Sequence, residues 1–178
     1  MRFIKTKFKD LFIIKHNLYS DERGYFKETF KKEKLEKLFN KKINFCQQNS
    51  VKSNKNVLRG LHFQKDPYGQ SKLITVEQGK ILDIAVDIRK DSETYGKYFS
   101  YTLSHENHES LFIPKGFAHG YLTISETVLI NYTVDNYYSP NNEMGISYDD
   151  KFLKIDWGVD HNKLIISKKD KKYEPFKW

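Results

Sequence analysis

Between residues 72 and 88 the chain alternates in the two-residue rhythm of extended backbone. Lys72-Leu73-Ile74-Thr75-Val76-Glu77 reads as a strand, Gln78-Gly79-Lys80 as a turn, and Ile81 to Ile88 as a second strand. In that second strand Leu82, Ile84, Val86 and Ile88 take one face and Asp83 and Asp87 the other, since successive side chains point to opposite sides. Tyr98–Leu103, Leu111–Ile113, Tyr121–Ile124 and Val128–Val134 continue the series. A different period predicts one helix from about Lys31 to Asn40, where Leu35, Leu38 and Phe39 form an i, i+3, i+4 stripe. No internal repeat, linker or low-complexity segment interrupts the pattern. Many short strands at this spacing predict an all-β fold, an antiparallel jelly-roll sandwich or barrel with a few short helices, over a single domain of residues 1–178.

Two strands break their own pattern. Lys72 shares parity with Ile74 and Val76, and Tyr132 with Val128, Ile130 and Val134, so an amine and a phenol stand in line with core-facing residues. An inward Lys is costly unless paired or partly solvated. Taken singly, each has an ordinary explanation: a lysine snorkelling from a strand end, a core tyrosine with a bonded hydroxyl. Together they point to a polar pocket inside the barrel.

Composition narrows the setting. Of 178 residues, 38% are hydrophobic and 15% aromatic, with only 4 Pro and 9 Gly, which argues against a disordered or fibrous chain. No apolar run approaches the roughly 20 residues of a membrane span, and Met1-Arg2-Phe3-Ile4-Lys5 does not open a signal peptide. The lone Cys46 has no internal disulfide partner and reads as a small buried hydrophobe; a cytoplasmic location is the expectation. The net charge is +8, almost all from Lys, since only Arg2, Arg23, Arg59 and Arg89 are Arg. Lys is spread along the whole length, often beside Glu or Asp, so the surplus predicts attraction of an anionic ligand rather than a nucleic-acid surface.

Candidate chemistry concentrates in two stretches, Asn56-Val57-Leu58-Arg59-Gly60-Leu61-His62-Phe63-Gln64 and Ile113-Pro114-Lys115-Gly116-Phe117-Ala118-His119-Gly120. They resemble the paired motifs of the cupin superfamily, jelly-roll barrels that often bind a metal. The first motif here reads His62-Phe63-Gln64, so a second ligand is missing, and His62 with His119 supplies two where a metal wants three or four. No metal site is expected.

A narrower match follows from motif order: Asp21-Glu22-Arg23-Gly24-Tyr25-Phe26-Lys27-Glu28, Gln47-Gln48-Asn49-Ser50, Leu58–Gln64, Gln70-Ser71-Lys72-Leu73, Pro114–Gly120 and Tyr132 through Tyr138. This series, from about residue 10 to 170, resembles the RmlC-type nucleotide-sugar epimerases, dTDP-4-dehydrorhamnose 3,5-epimerase and its relatives. The resemblance implies a cofactor-independent epimerase of a nucleotide-diphosphate-linked 4-keto-6-deoxy sugar, serving deoxysugar synthesis for surface polysaccharide, and a homodimer. A ketone at C4 acidifies the protons at C3 and C5, so inversion needs a base, an acid on the other face and a stabiliser of the enolate oxygen. His62 is the natural base, because imidazole titrates near neutrality. The resemblance points to Asp170 as its carboxylate partner, to Lys72 at the C4 oxygen and to Tyr132 as the acid.

Binding roles are implied in the same way. Arg59 and Arg23 would meet the diphosphate, Lys168, Gln47 and Asn49 would add hydrogen bonds, and Tyr138 and Phe26 would stack on the base. Glu28 and Glu143 would contact the ligand or shape the site, and His119 would contact the sugar or serve as a buried structural histidine. Thr133 and Gly158 depart from residues frequent in the family, and the first bears on how the sugar is held. His105-Glu106-Asn107-His108 reads as a polar turn, and Asn131-Tyr132-Thr133 as a chance sequon. Three alternatives stay open on the residues: inversion at C3 alone, a GDP- or CDP-linked hexose or heptose substrate, and a cupin that uses metal or only binds sugar.

Overall fold

The turn at Gly79 does not close a hairpin: it sends the strands before and after it into opposite sheets. In the computed structural model, which describes residues 1–177, fourteen strands and one α-helix follow the chain. The strands are β1 (Arg2–Lys5), β2 (Phe12–Lys15), β3 (Leu18–Asp21), β4 (Gly24–Lys27), β5 (Gln47–Asn54), β6 (Val57–Gln64) and β7 (Lys72–Gln78). They continue as β8 (Lys80–Asp87), β9 (Tyr98–Ser104), β10 (Glu109–Ile113), β11 (Phe117–Thr123), β12 (Thr127–Val134), β13 (Glu143–Gly145) and β14 (Ile165–Ile166). The first sheet has the order β1-β2-β10-β7-β12-β5 and the second β13-β6-β11-β8-β9, with β14 added beside β6. All pairings are antiparallel except β14 with β6. The result is a cupin-like barrel of two facing sheets. Strand β11 starts at Phe117, four residues before the predicted start, because the whole Phe117–Thr123 run is buried.

The inward residues of both sheets meet in one core that includes Ile74, Val76, Ile81, Ala85, Leu111, Ile113, Phe117 and Ile130. The predicted helix forms as α1 (Lys32–Phe39), with Asn40 closing it in a left-handed conformation (φ 48°). Its Leu35 packs with Phe12, Ile14, Leu73 and Phe112 on the outer side of the first sheet. The outer side of the second sheet is covered as well, by Ile146, Leu153, Ile155 and Trp157 packed on Leu58, Ile84, Val86 and Leu122. Strand β8 is thus buried on both faces, and Asp83 and Asp87, on the parity opposite Ile84 and Val86, face the barrel interior rather than water.

Strands β6 and β11 come close enough to matter for the site. A Cβ on Gly60, whose φ is +130°, would sit 2.5 Å from Gly120 Cα, so this approach admits only glycine. The contact accompanies a register shift in β11 between His119 and Tyr121, which leaves His119 directly opposite His62. His105–His108 is the expected polar turn, held by Asn107, whose carboxamide oxygen accepts from the Ser104 and Glu109 amides at 3.2 Å each. Cys46 is half-buried, with its thiol 3.8 Å from Val134 O. No helix among the described residues is long and apolar enough to cross a membrane.

Candidate active site

One end of the barrel interior is polar where the other is apolar. It holds a cavity of about 640 Å³. Ten of the fourteen residues singled out from the sequence line it: Gln47, Asn49, Arg59, His62, Lys72, His119, Tyr132, Tyr138, Glu143 and Asp170. They arrive from both walls. His62 and His119 come from β6 and β11 of the second sheet; Gln47, Asn49, Lys72 and Tyr132 come from β5, β7 and β12 of the first.

His62 Nε2 lies 2.9 Å from Asp170 Oδ1, while Asp170 Oδ2 accepts from the Gly60 N–H at 3.3 Å. With Asp170 ionised, Nε2 carries the proton and Nδ1, which has no protein hydrogen bond among the described residues, keeps its lone pair. Burial pushes the Asp170 carboxyl up, but the bonds from His62, Gly60 and Ser167 prevail and hold it below its usual range. The carboxylate comes from a 3-10 turn, Asp170–Lys172, that follows every strand in the chain.

Across the cavity, burial lowers Lys72 to about 8, opposed by the charges of Asp83 and Glu143. Burial raises Tyr132 above its ordinary value, against the pull of Arg59, so the phenol stays protonated at neutral pH. Arg59 is steadied by an Nε–H bond to Ser53 Oγ at 3.1 Å, and Ser53 also lies 3.1 Å from the Tyr121 hydroxyl. At the mouth, the Tyr138 hydroxyl donates to Glu143 at 2.5 Å and the Tyr138 amide to Gln47 Oε1 at 3.2 Å. Gln47 in turn donates to Asn49 at 2.9 Å.

Four expected binding residues stand elsewhere. Arg23, Phe26 and Glu28 lie on or just past the β3–β4 hairpin, away from the cavity of their own chain. Arg23 pairs with Asp21, Glu28 with Lys34 at 2.9 Å, and Phe26 is 67% exposed. Lys168 is exposed and off the cavity, and its neighbour Lys169 is the one that bonds Glu143. Both lysines are exposed, and Lys169 reaches Glu143 from the surface beside the turn that buries Asp170.

Asp83 was not foreseen. It is fully buried, and both its oxygens lie 3.0–3.1 Å from His119 Nε2, making a second histidine–carboxylate pair beside the first. The available signal was the nearly unbroken apolar run around it, the mark of a strand covered on both faces. Among the described residues no group of three or more His, Cys, Asp or Glu is arranged to hold a metal ion.

Comparison with known proteins gives a uniform result. The family model for dTDP-4-dehydrorhamnose 3,5-epimerase matches residues 5–177. A dTDP-4-dehydrorhamnose 3,5-epimerase from Shigella flexneri is 44% identical over 168 residues, covering 94% of this chain and 92% of its own. The crystal structure of the enzyme of that name from Elizabethkingia anophelis superposes with a TM-score of 0.95 at 41% identity, over 99% of this chain and 96% of the other. A dTDP-6-deoxy-D-glucose-3,5-epimerase from Legionella pneumophila, solved with dTDP-4-keto-L-rhamnose, gives 0.93 at 40% identity, over 98% and 92%.

Proposed function

Because the chain belongs to the dTDP-4-dehydrorhamnose 3,5-epimerase family, an isomerase family, we propose that it inverts C3 and C5 of a dTDP-linked 4-keto-6-deoxy hexose through enolate intermediates. His62 Nδ1 removes the proton from the carbon beside the ketone, and the C–H electron pair moves into the C–C bond as the carbonyl π pair moves to O4. The Lys72 ammonium faces that oxygen. Removing one such donor in other oxyanion sites costs about 10²–10³-fold. The Tyr132 hydroxyl then protonates the carbon from the opposite face, and exchange with solvent returns the proton from imidazolium to tyrosinate before the second centre is inverted.

The observation that carries this reading is the placement of imidazole and phenol on opposing sheets of one cavity, with the ammonium on the strand paired to the phenol's. Asp170 keeps the imidazole in one tautomer and stabilises the cation it becomes. Arg59, Gln47, Asn49 and Tyr138 line the same cavity toward its mouth and are assigned to the nucleotide diphosphate and its base, His119 and Glu143 to the sugar end. Arg23, Phe26 and Glu28 contribute only if the homodimer forms, with the exposed hairpin of one copy laid beside the cavity of the other; a sedimentation mass of one chain would remove that part.

The decisive test offers dTDP-4-keto-6-deoxyglucose in deuterated water and follows the sugar by NMR. Deuterium enters at both C3 and C5 with wild type, and Tyr132→Phe slows inversion strongly. Label at C3 alone would make this a one-centre enzyme, and no label on any 4-keto nucleotide sugar ends the epimerase reading for this chain.

A further inference from the structure

The 3-10 turn that carries Asp170 ends in Tyr173, a residue outside the cavity lining. Its amide donates to Asp170 O at 3.3 Å, so ring and carboxylate leave one short, closed segment. The Asp170 amide donates to Ser167 Oγ at 3.0 Å, and the Ser147 amide to Glu174 O at 3.1 Å, which ties the segment down on both sides. From there the Tyr173 ring meets the His62 imidazole edge to face, with centroids 5.7 Å apart and planes at 68°. Aromatic pairs favour this geometry because the positive edge of one ring meets the negative face of the other.

The ring occupies space that only one residue type leaves open. Gly145 is the cross-strand partner of His62 in the β13–β6 pair. A Cβ at Gly145 would fall 2.3 Å from Tyr173 Cδ2 and Cε2 and 2.5 Å from Cγ, far inside any real contact. Gly145 is not among the glycines with positive φ, so its backbone conformation is open to other residues. What excludes a side chain there is the tyrosine ring itself. Gly145 is the last residue of β13, and a glycine in a strand often marks the close approach of another group.

We propose that Tyr173 is a positioning residue for His62, its ring seated over the bare backbone of Gly145 so that ring and Asp170 fix the imidazole from two directions. Asp170 sets the direction of Nε2, and Tyr173 blocks rotation of the imidazole plane about that bond. The proposal rests on the reading of His62 as the base. Small misplacements of reacting groups are known to cost up to about 10²-fold in rate, so losing the ring contact should reach turnover without touching substrate.

The test compares Tyr173→Phe, Tyr173→Ala, Gly145→Ala and the double variant Gly145→Ala/Tyr173→Ala in the full chain. Readouts are kcat, KM, the thermal midpoint and the ¹⁵N spectrum of the His62 imidazole. Tyr173→Phe restores turnover to within about threefold of wild type, because the ring matters and the hydroxyl does not. Tyr173→Ala and Gly145→Ala each lower kcat about tenfold or more, with KM within about threefold, and the imidazole signal shows mixed tautomers. The double variant falls no further than Tyr173→Ala, since both changes remove one contact. Multiplying losses in the double variant, or Tyr173→Ala with unchanged kcat and an unchanged imidazole spectrum, would overturn the proposal. Should Gly145→Ala fail to fold, the Tyr173 pair decides alone. The base assignment is separable: if His62→Asn keeps full turnover, that reading falls, while the imidazole spectrum of the Tyr173 variants still reports whether the ring holds His62.

Discussion

Two histidines sit opposite each other on neighbouring strands, each bound through Nε2 to an aspartate, yet the protein treats the pairs differently. His119 and Asp83 are built into adjacent strands β11 and β8, with side chains only 9% and 0% exposed. His62 is 28% exposed, and its carboxylate is brought by a turn 108 residues further along the chain. In the first pair the carboxylate is sealed inside the sheet, where a buried polar group must be satisfied whatever ligand enters, and only His119 reaches the cavity. The second is open to a ligand on one side and held by a separately folded segment on the other. Similar chemistry becomes scaffold or candidate machinery according to what covers it.

The largest expected effect separates the two histidines. His62→Asn lowers kcat by about 10²–10⁴-fold, the range a positioned general base contributes, while calorimetry shows dTDP affinity little changed. His119→Asn acts mainly on KM for the nucleotide sugar, with kcat within about tenfold. Equal losses of kcat at both positions would erase the contrast.

The carboxylates come next. Asp170→Asn loses about 10²-fold or more in turnover, because an amide supports the imidazolium poorly. Asp83→Asn costs about 1–3 kcal/mol of unfolding free energy in denaturant titration, the usual consequence of weakening a buried polar pair. A reversal, with Asp170→Asn the less stable variant and Asp83→Asn the slower one, would exchange the two roles.

The smallest effect links the pairs through Lys72. Its folded pKa, lowered to about 8, sits just above neutrality. Protonated amine is the form that stabilises an enolate, so kcat/KM for the free enzyme holds through neutral pH and declines about tenfold per unit above about pH 8. Asp83 is one of the two charges that keep Lys72 protonated. Asp83→Asn therefore moves the alkaline limb to lower pH, and a limb that stays in place would show that Asp83 serves His119 alone.

Much of this was legible in the chain. The parity of Lys72 with Ile74 and of Tyr132 with Ile130 put an amine and a phenol on inward faces, and both line the cavity. The Gly60–His62 and Gly116–Gly120 motifs fall on or beside β6 and β11, neighbouring strands of the second sheet. Asp83 was missed because β8 was read as a one-sided strand from its Asp83 and Asp87 face, although the apolar run around it fits the second cover that Leu153 and Trp157 supply. The hairpin carrying Arg23 and Phe26 shows another limit: motif order brings residues into one family signature without saying which cavity they serve. Lys168 and Lys169 are indistinguishable as sequence and both are exposed; the contact with Glu143 is what tells them apart.

Because Asp170 follows all fourteen described strands, the sheets and the carboxylate of the dyad come from separate stretches of the chain. A chain interrupted after Ile166 would keep every described strand, with Ser167 and Asp170 gone from the cavity wall and His62 lacking its aspartate. A lesion confined to that tail would thus silence the dyad while leaving the sequence of both sheets whole.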